Sequence, residues 1–194
     1  PYDIGSYEYQ DPPGPPTWVG GTNSDWTEAT NWENNVVPTG NSDVIIGSGS
    51  NVPAVTTNVN INSLTIETGG SLTIANTSGS GTQFIVSKNL TVNGTLAVTG
   101  DVPLHLTGAG LLFGEYGDIS CGGSSTTTNM NLKISGFYNI ASHFNMRDLE
   151  INGTLKGQTY TLGINGDWEV TSSGTFTAGT GKVKILSDVL VENT

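Results

Sequence analysis

An apolar–polar–apolar triplet returns along this chain at intervals of roughly twenty residues. Leu64-Thr65-Ile66 leads to Leu72-Thr73-Ile74, and Leu90-Thr91-Val92 to Leu96-Ala97-Val98. Later, Leu149-Glu150-Ile151 is followed by Leu155, and Trp168-Glu169-Val170 by Phe176. The middle residue is usually polar, as in Thr65, Thr73, Thr91, His105, Lys133, Glu150, Glu169 and Lys184. Period-two alternation of this kind predicts short strands with one face in a core and the other in water. A repeat of fixed size means stacked units, so function is expected in a repeated surface or at the ends of a rod. A single deep cleft is not expected.

Taking one apolar anchor per unit gives Leu64, Leu90, Leu111, Leu132, Leu149, Trp168 and Val183. Two architectures fit such strands. An antiparallel β-sandwich would close its hairpins with two-residue turns, for which Asn93-Gly94, Asn152-Gly153 and Asn165-Gly166 are suited. A right-handed parallel β-helix would stack equivalent strands about 4.8 Å apart around aligned Leu, Ile and Val. The same pairs would then mark corners that need positive φ. Insertions confined to the Gly/Ser/Thr stretches 76–83 and 121–129 favour the parallel β-helix. At that spacing, roughly seven coils make a rod of about 35 Å.

The ends of the chain differ from its middle. Residues 1–17 contain Asp11-Pro12-Pro13-Gly14-Pro15-Pro16 and predict a stiff linker or arm, on which Tyr2, Tyr7 and Tyr9 offer packing groups. Residues 18–42 hold Trp18, Trp26 and Trp32 among Asn/Asp-rich turns. An open solenoid end exposes raw core, so this segment is expected to be an N-terminal cap. Coils are expected over 43–194, and because the pattern still runs at Val183-Lys184-Ile185 the chain is expected to be cut from a longer repetitive protein.

Composition narrows the partners. The 194 residues are 35% hydrophobic, with 27 glycines, only six Lys+Arg and a net charge of -11. Nucleic acid and anionic membranes repel such a chain. No run of eighteen apolar residues is present, so direct membrane insertion is not expected. The one cysteine, Cys121, excludes an intrachain disulfide and reads as a small residue in a Gly/Ser-rich turn.

Two stretches carry a resemblance. The first is Trp18-Val19-Gly20-Gly21-Thr22 with Asp25-Trp26, Asn31-Trp32, Val37-Pro38 and Asp43-Val44-Ile45-Ile46. The second is Ile164-Asn165-Gly166-Asp167-Trp168 with Gly174-Thr175-Phe176-Thr177-Ala178-Gly179-Thr180-Gly181-Lys182-Val183. Together they resemble the repetitive β-helical domains of large Bacteroidota adhesin-like and gliding-associated surface proteins exported by the type IX pathway. That resemblance implies an extracellular or cell-surface location and a structural or adhesive role. Its implied partners are other surface or filament proteins, or glycans. It brings no catalytic residues.

Several side chains offer chemistry of their own. Parallel β-helices also serve polysaccharide lyases and hydrolases, and acid/base cleavage needs two carboxylates about 5 to 10 Å apart. Glu150 and Glu169 take equivalent middle positions and are the catalytic candidates, with Lys133 and Lys184 expected to flank them on one outward row. The same order, Lys-Glu-Glu-Lys, reads as a surface charge stripe, and a non-enzymatic role is expected. Asp25, Glu28 and Glu33, with nearby asparagines, offer hard oxygen ligands for Ca²⁺. Trp18, Trp26 and Trp32 offer aromatic faces to a carbohydrate or protein partner, or else bury the end of the stack. His105 and His143 read as histidines without a metal. A threonine row through Thr65, Thr73 and Thr91 is expected to be broken by His105, Lys133 and Glu150.

Overall fold

A computed structural model describes residues 14–75, 83–99, 104–109, 112, 115–121 and 131–186. The arm through residue 13, the Leu111 anchor and the insertions at 76–82 and 122–129 lie outside the described residues. Where a coil is described throughout, as in Ser63–Ile66, Ser71–Ala75 and Phe84–Val86, it contributes three short strands, one to each face of a solenoid. The first face is an eight-stranded sheet running from Thr17–Trp18 through Asp43–Ile46, Ser63–Ile66, Leu90–Val92, Gly117–Cys121, Phe137–Ile140 and Thr154–Lys156 to Thr175–Thr177. The second comprises two three-stranded sheets: Ala54–Val55, Ser71–Ala75 and Thr95–Thr99, then Phe144–Met146, Thr161–Ile164 and Lys182–Ile185. The third is a six-stranded sheet from Val59–Ile61 through Phe84–Val86, Leu104–Leu106, Asn131–Ile134 and Asp148–Ile151 to Trp168–Val170. The seven spacings of the longest sheet, about 4.8 Å each, give an axis of about 34 Å.

The paired strands are parallel, which excludes the sandwich and establishes the parallel β-helix. Like residues stack on like. Leu64 lies opposite Leu90, Leu72 opposite Leu96, and Leu132 opposite Leu149. The alternation fails at Trp168-Glu169-Val170 and Val183-Lys184-Ile185, where Val170 and Ile185 are 39% and 40% exposed. From Leu64-Thr65-Ile66 through Leu149-Glu150-Ile151 it does what it predicts, with the outer members buried while the middle ones face out. Burial of each such aliphatic side chain contributes about 1.5–3 kcal/mol. The filled column therefore holds the stack, and the turns set its outline.

The anchor series is corrected in one respect. Leu64 and Leu90 sit on the first face, Leu132, Leu149 and Trp168 on the third, and Val183 on the second. Triplets from different faces look alike because all answer to the same core. The third strand of each early coil, such as Val59–Ile61 or Phe84–Val86, completes a triangle that two strands per unit leave open.

The corner glycines need correcting too. None of Gly94, Gly153 and Gly166 has positive φ, and neither do the asparagines before them. They are glycine because the coil beneath comes too close. A Cβ on Gly94 would strike the carbonyl oxygens of Gly70 and Glu67, and one on Gly153 would strike that of Gly136. The close approach lets Thr95 N donate to Gly70 O and Thr154 N to Gly136 O, both at 2.9 Å. Glycine here buys proximity rather than torsional freedom.

Cys121 is likewise not in a turn. It ends the strand Gly117–Cys121, points inward opposite Val92, and is 4% exposed. Burial pushes its thiol up to about 12.

Candidate functional site

The cap is built around its tryptophans. Thr17–Trp18 adds a strand to the first face by pairing with Ile45 and Ile46. A parallel bridge from Asp25 to Ala54 extends the second face in the same way. Two short 3₁₀ turns, Ala29–Asn31 and Glu33–Asn35, fold the chain back between them. The Trp32 ring meets Trp18 and Trp26 edge-on, with centroids 5.0 and 4.7 Å apart, and Trp26 meets Phe84 at 5.5 Å. Two of the indole N–H groups are held: Trp32 Nε1 donates to Trp26 O and Trp18 Nε1 to Asn51 O, both at 2.8 Å.

Trp18, Trp26 and Trp32 are 2%, 2% and 1% exposed, so none offers a ring face to a sugar. The carbohydrate-contact role considered for them is overturned, because sealing the open end of an aliphatic core claims their whole surface. Sequence reasoning missed the polar hub beside them. Fully buried Asn31 accepts at Oδ1 from the backbone N–H of Thr22 and Asn23, at 2.9 and 3.1 Å. Its Nδ2 donates to Asn23 Oδ1 and Asp25 O, at 2.8 and 2.9 Å. Among many turn asparagines, nothing in the local pattern singles it out.

The structure does not bring the proposed calcium ligands together. Asp25 Oδ1 accepts from Thr27 N and Oγ1, at 2.9 and 2.8 Å. Glu28 Oε1 accepts from Thr30 N and Oγ1, at 3.2 and 2.9 Å. Both carboxylates close their own turns, while Glu33 opens the second 3₁₀ turn. Among the described residues, no three His, Cys, Asp or Glu side chains gather as a metal site.

The third face does gather charge. Its outward middle positions run Asn60, Ile85, His105, Lys133, Glu150, Glu169 in strict register. Lys133 Nζ lies 2.7 Å from Glu150 Oε1, and Asn152 Nδ2 donates to that oxygen at 2.8 Å. Burial pushes the Glu150 carboxyl up. Hydrogen bonds from Lys133 and Asn152, with the charges of Lys133 and His105, outweigh that and leave it below its ordinary value. His105 is held below its ordinary value by burial and by Lys133, with Glu150 opposing. Its Nε2 lies 2.8 Å from Ser135 Oγ.

Lys184 does not belong to this row. It pairs with Gly163 on the second face, because three strands per coil place it a corner away. His105 precedes Lys133 in the row, as its outward middle position in Leu104-His105-Leu106 predicts. The threonine argument changes for the same reason. On the first face the row Ile45, Thr65, Thr91, Ser120 is not interrupted by the third-face charges, while Thr73 lies on the second face opposite Ala97. His143, exposed on a corner, accepts from Thr161 N at Nδ1, 2.7 Å away.

Glu150 and Glu169 are thus neighbours, one strand spacing of about 4.8 Å apart. They stand on one row and not on opposing walls, above a shallow depression of about 170 Å³ that Asp148 and Asp167 also line. Asp148 is already engaged, accepting from Arg147 Nε at 2.8 Å and from Asp167 N at 2.9 Å. A general acid needs a carboxyl raised toward neutrality. Glu150 is shifted the other way, so the row's geometry suits an electrostatic ladder between coils.

A family model described as Domain of unknown function (DUF8693) matches residues 17–106. The chain is similar to that family from its first cap strand, Thr17–Trp18, through the strand Leu104–Leu106. No curated protein and no solved structure matches the chain.

Proposed function

We propose that this chain is a non-enzymatic structural or adhesive module, a rigid β-helical spacer within an extracellular surface or filament protein. The observation that carries the reading is the buried, mostly aliphatic column that runs through the described coils. Three faces of parallel ladder enclose it, and a buried tryptophan cap closes one end. Stacked ladders resist bending because any bend must open hydrogen bonds along a whole face. The charge of -11 keeps neighbouring copies apart and soluble. The resemblance to Bacteroidota adhesin-like proteins supports a surface location reached by the type IX pathway, as part of a larger repetitive chain. Surface or filament proteins, or glycans, are the partners that such a module would meet.

The test pairs location with chemistry. Antibodies raised against this chain should label intact producing cells without permeabilisation. The purified chain should release no reducing ends or unsaturated products from pectin, alginate or neutral polysaccharides. Labelling only after permeabilisation overturns the surface reading. Product release that is lost in Glu150→Ala or Glu169→Ala overturns the non-enzymatic one.

A further inference from the structure

We infer that the first face carries a binding surface for a neutral polysaccharide, centred on Phe137. This deepens the proposed reading by giving its glycan partner a site and a class, and rests on that reading only for the partner. Phe137 is an outward residue of the strand Phe137–Ile140 and is 56% exposed. It lies outside the buried core and leaves an aromatic ring open to solvent, where a partner can stack on it. Tyr116 stands beside it, edge to face, with centroids 5.8 Å apart. Lys156 Nζ lies 3.9 Å over the Tyr116 ring, a cation–π contact that fixes the ring's pose.

The neighbouring outward row is polar and is held in place by its own contacts. Asp118, Asn139, Lys156 and Thr177 follow one another in register. Gln158 Nε2 donates to Asn139 Oδ1 at 2.9 Å, and Asn139 Nδ2 reaches Asp118 Oδ1 at 3.5 Å. Gln158 has φ 56, a left-handed backbone conformation uncommon for a residue with a side chain, at the corner beside Asn139. Two shallow depressions of about 310 and 320 Å³ adjoin this row, and Gln158 and Thr159 line both.

The chemistry points to one partner class. An exposed ring takes the C–H face of a pyranose, while amides and a carboxylate present donors and acceptors that suit adjacent hydroxyls. The rows repeat at about 4.8 Å, so an extended polymer can meet several coils at once. Net charge of -11 works against uronate polymers and single-stranded nucleic acid, although bases also stack on aromatic rings. A protein partner would call for a broader apolar patch than a ring bordered by Asp118, Asn139, Lys156 and Thr154.

Affinity electrophoresis of the full chain through gels containing mixed-linkage β-glucan, xylan or galactomannan tests this, with alginate and polygalacturonate as charged counterparts. At least one neutral polymer should retard the chain. Phe137→Ala should weaken that retardation at least tenfold, and Asn139→Ala or Gln158→Ala should weaken it severalfold. Glu169→Gln, on the third face, should leave it unchanged. Phe137 is exposed, so Phe137→Ala should keep the wild-type circular dichroism. Retardation by none of the neutral polymers overturns the proposal, as does retardation indifferent to Phe137→Ala. So do stronger binding to the charged polymers, and a Phe137-dependent self-association without glycan binding. Each of these outcomes leaves the cell-labelling result of the spacer reading untouched.

Discussion

The ammonium of Lys133 sits 2.7 Å from Oε1 of Glu150, one strand across the third face, while Glu169 stands on the far side of Glu150. Both partners are about one-third exposed, so the pair contributes less than about 1 kcal/mol. Lys133→Met should lower stability by up to about that amount, because it also leaves Glu150 beside Glu169 without a counter-charge. Glu169→Lys should continue the alternation and raise stability by about 0.5 kcal/mol. Urea denaturation followed by circular dichroism reads both, and a Glu169→Lys midpoint below wild type would refute the ladder.

The same row sets a pH dependence. Glu150 lies below its ordinary value of 4.5, so its contribution is present above that pH and is lost as acid takes pH down through the folded value. His105 lies below 6.5, so the unfolded chain takes its proton first. Its share is therefore present above pH 6.5 and falls away below it. Both slopes have one sign, and stability should decline from neutral pH toward acid. His105→Gln should flatten the upper part of that decline and leave the part below pH 4.5 in place. Denaturation midpoints measured across the range check the assignment.

Trp32→Ala should destabilise the chain by about 3–5 kcal/mol, since it empties a site between two rings and leaves Trp26 O without its indole donor. Fluorescence reports the same arrangement. Emission from Trp18, Trp26 and Trp32 should be blue-shifted and resist acrylamide, whereas half-buried Trp168 should be quenched more readily. Uniform quenching of all four would contradict a buried cap.

Gly117 pairs with Tyr138 across the first face, and a Cβ on Gly117 would come 2.5 Å from Tyr138 Cε1. Gly117→Ala should therefore cost about 1–3 kcal/mol, by overpacking and not by torsional strain. Calorimetry should show the loss as a lower midpoint with the fold intact.

The Cys121 thiol should resist a disulfide reagent at pH 8 in the folded chain, because burial holds it near 12 and out of reach. In denaturant it should react at once. Rapid labelling of the native protein would count against its inward placement.

The alternation of Leu64-Thr65-Ile66 and Leu149-Glu150-Ile151 was legible in the chain itself, because which side of a strand a residue takes follows from a period of two residues. The cap was legible as a concentration of indoles at one end of the repeat, and so was the adjacency of Glu150 and Glu169, which stand nineteen positions apart in consecutive coils. The face that each triplet occupies was not legible. That depends on how many residues lie between corners, and the coils vary: the third-face step from Leu132 to Leu149 is 17 residues, while the first-face step from Leu64 to Leu90 is 26. So only the folded chain could place Lys184 outside the charged row. Only the folded chain could show that Gly94 and Gly153 yield space to the coil beneath, or bring Tyr116, Phe137 and Lys156 together on one face. Local pattern settles inside against outside, whereas neighbours along the axis are chosen by the path around each corner.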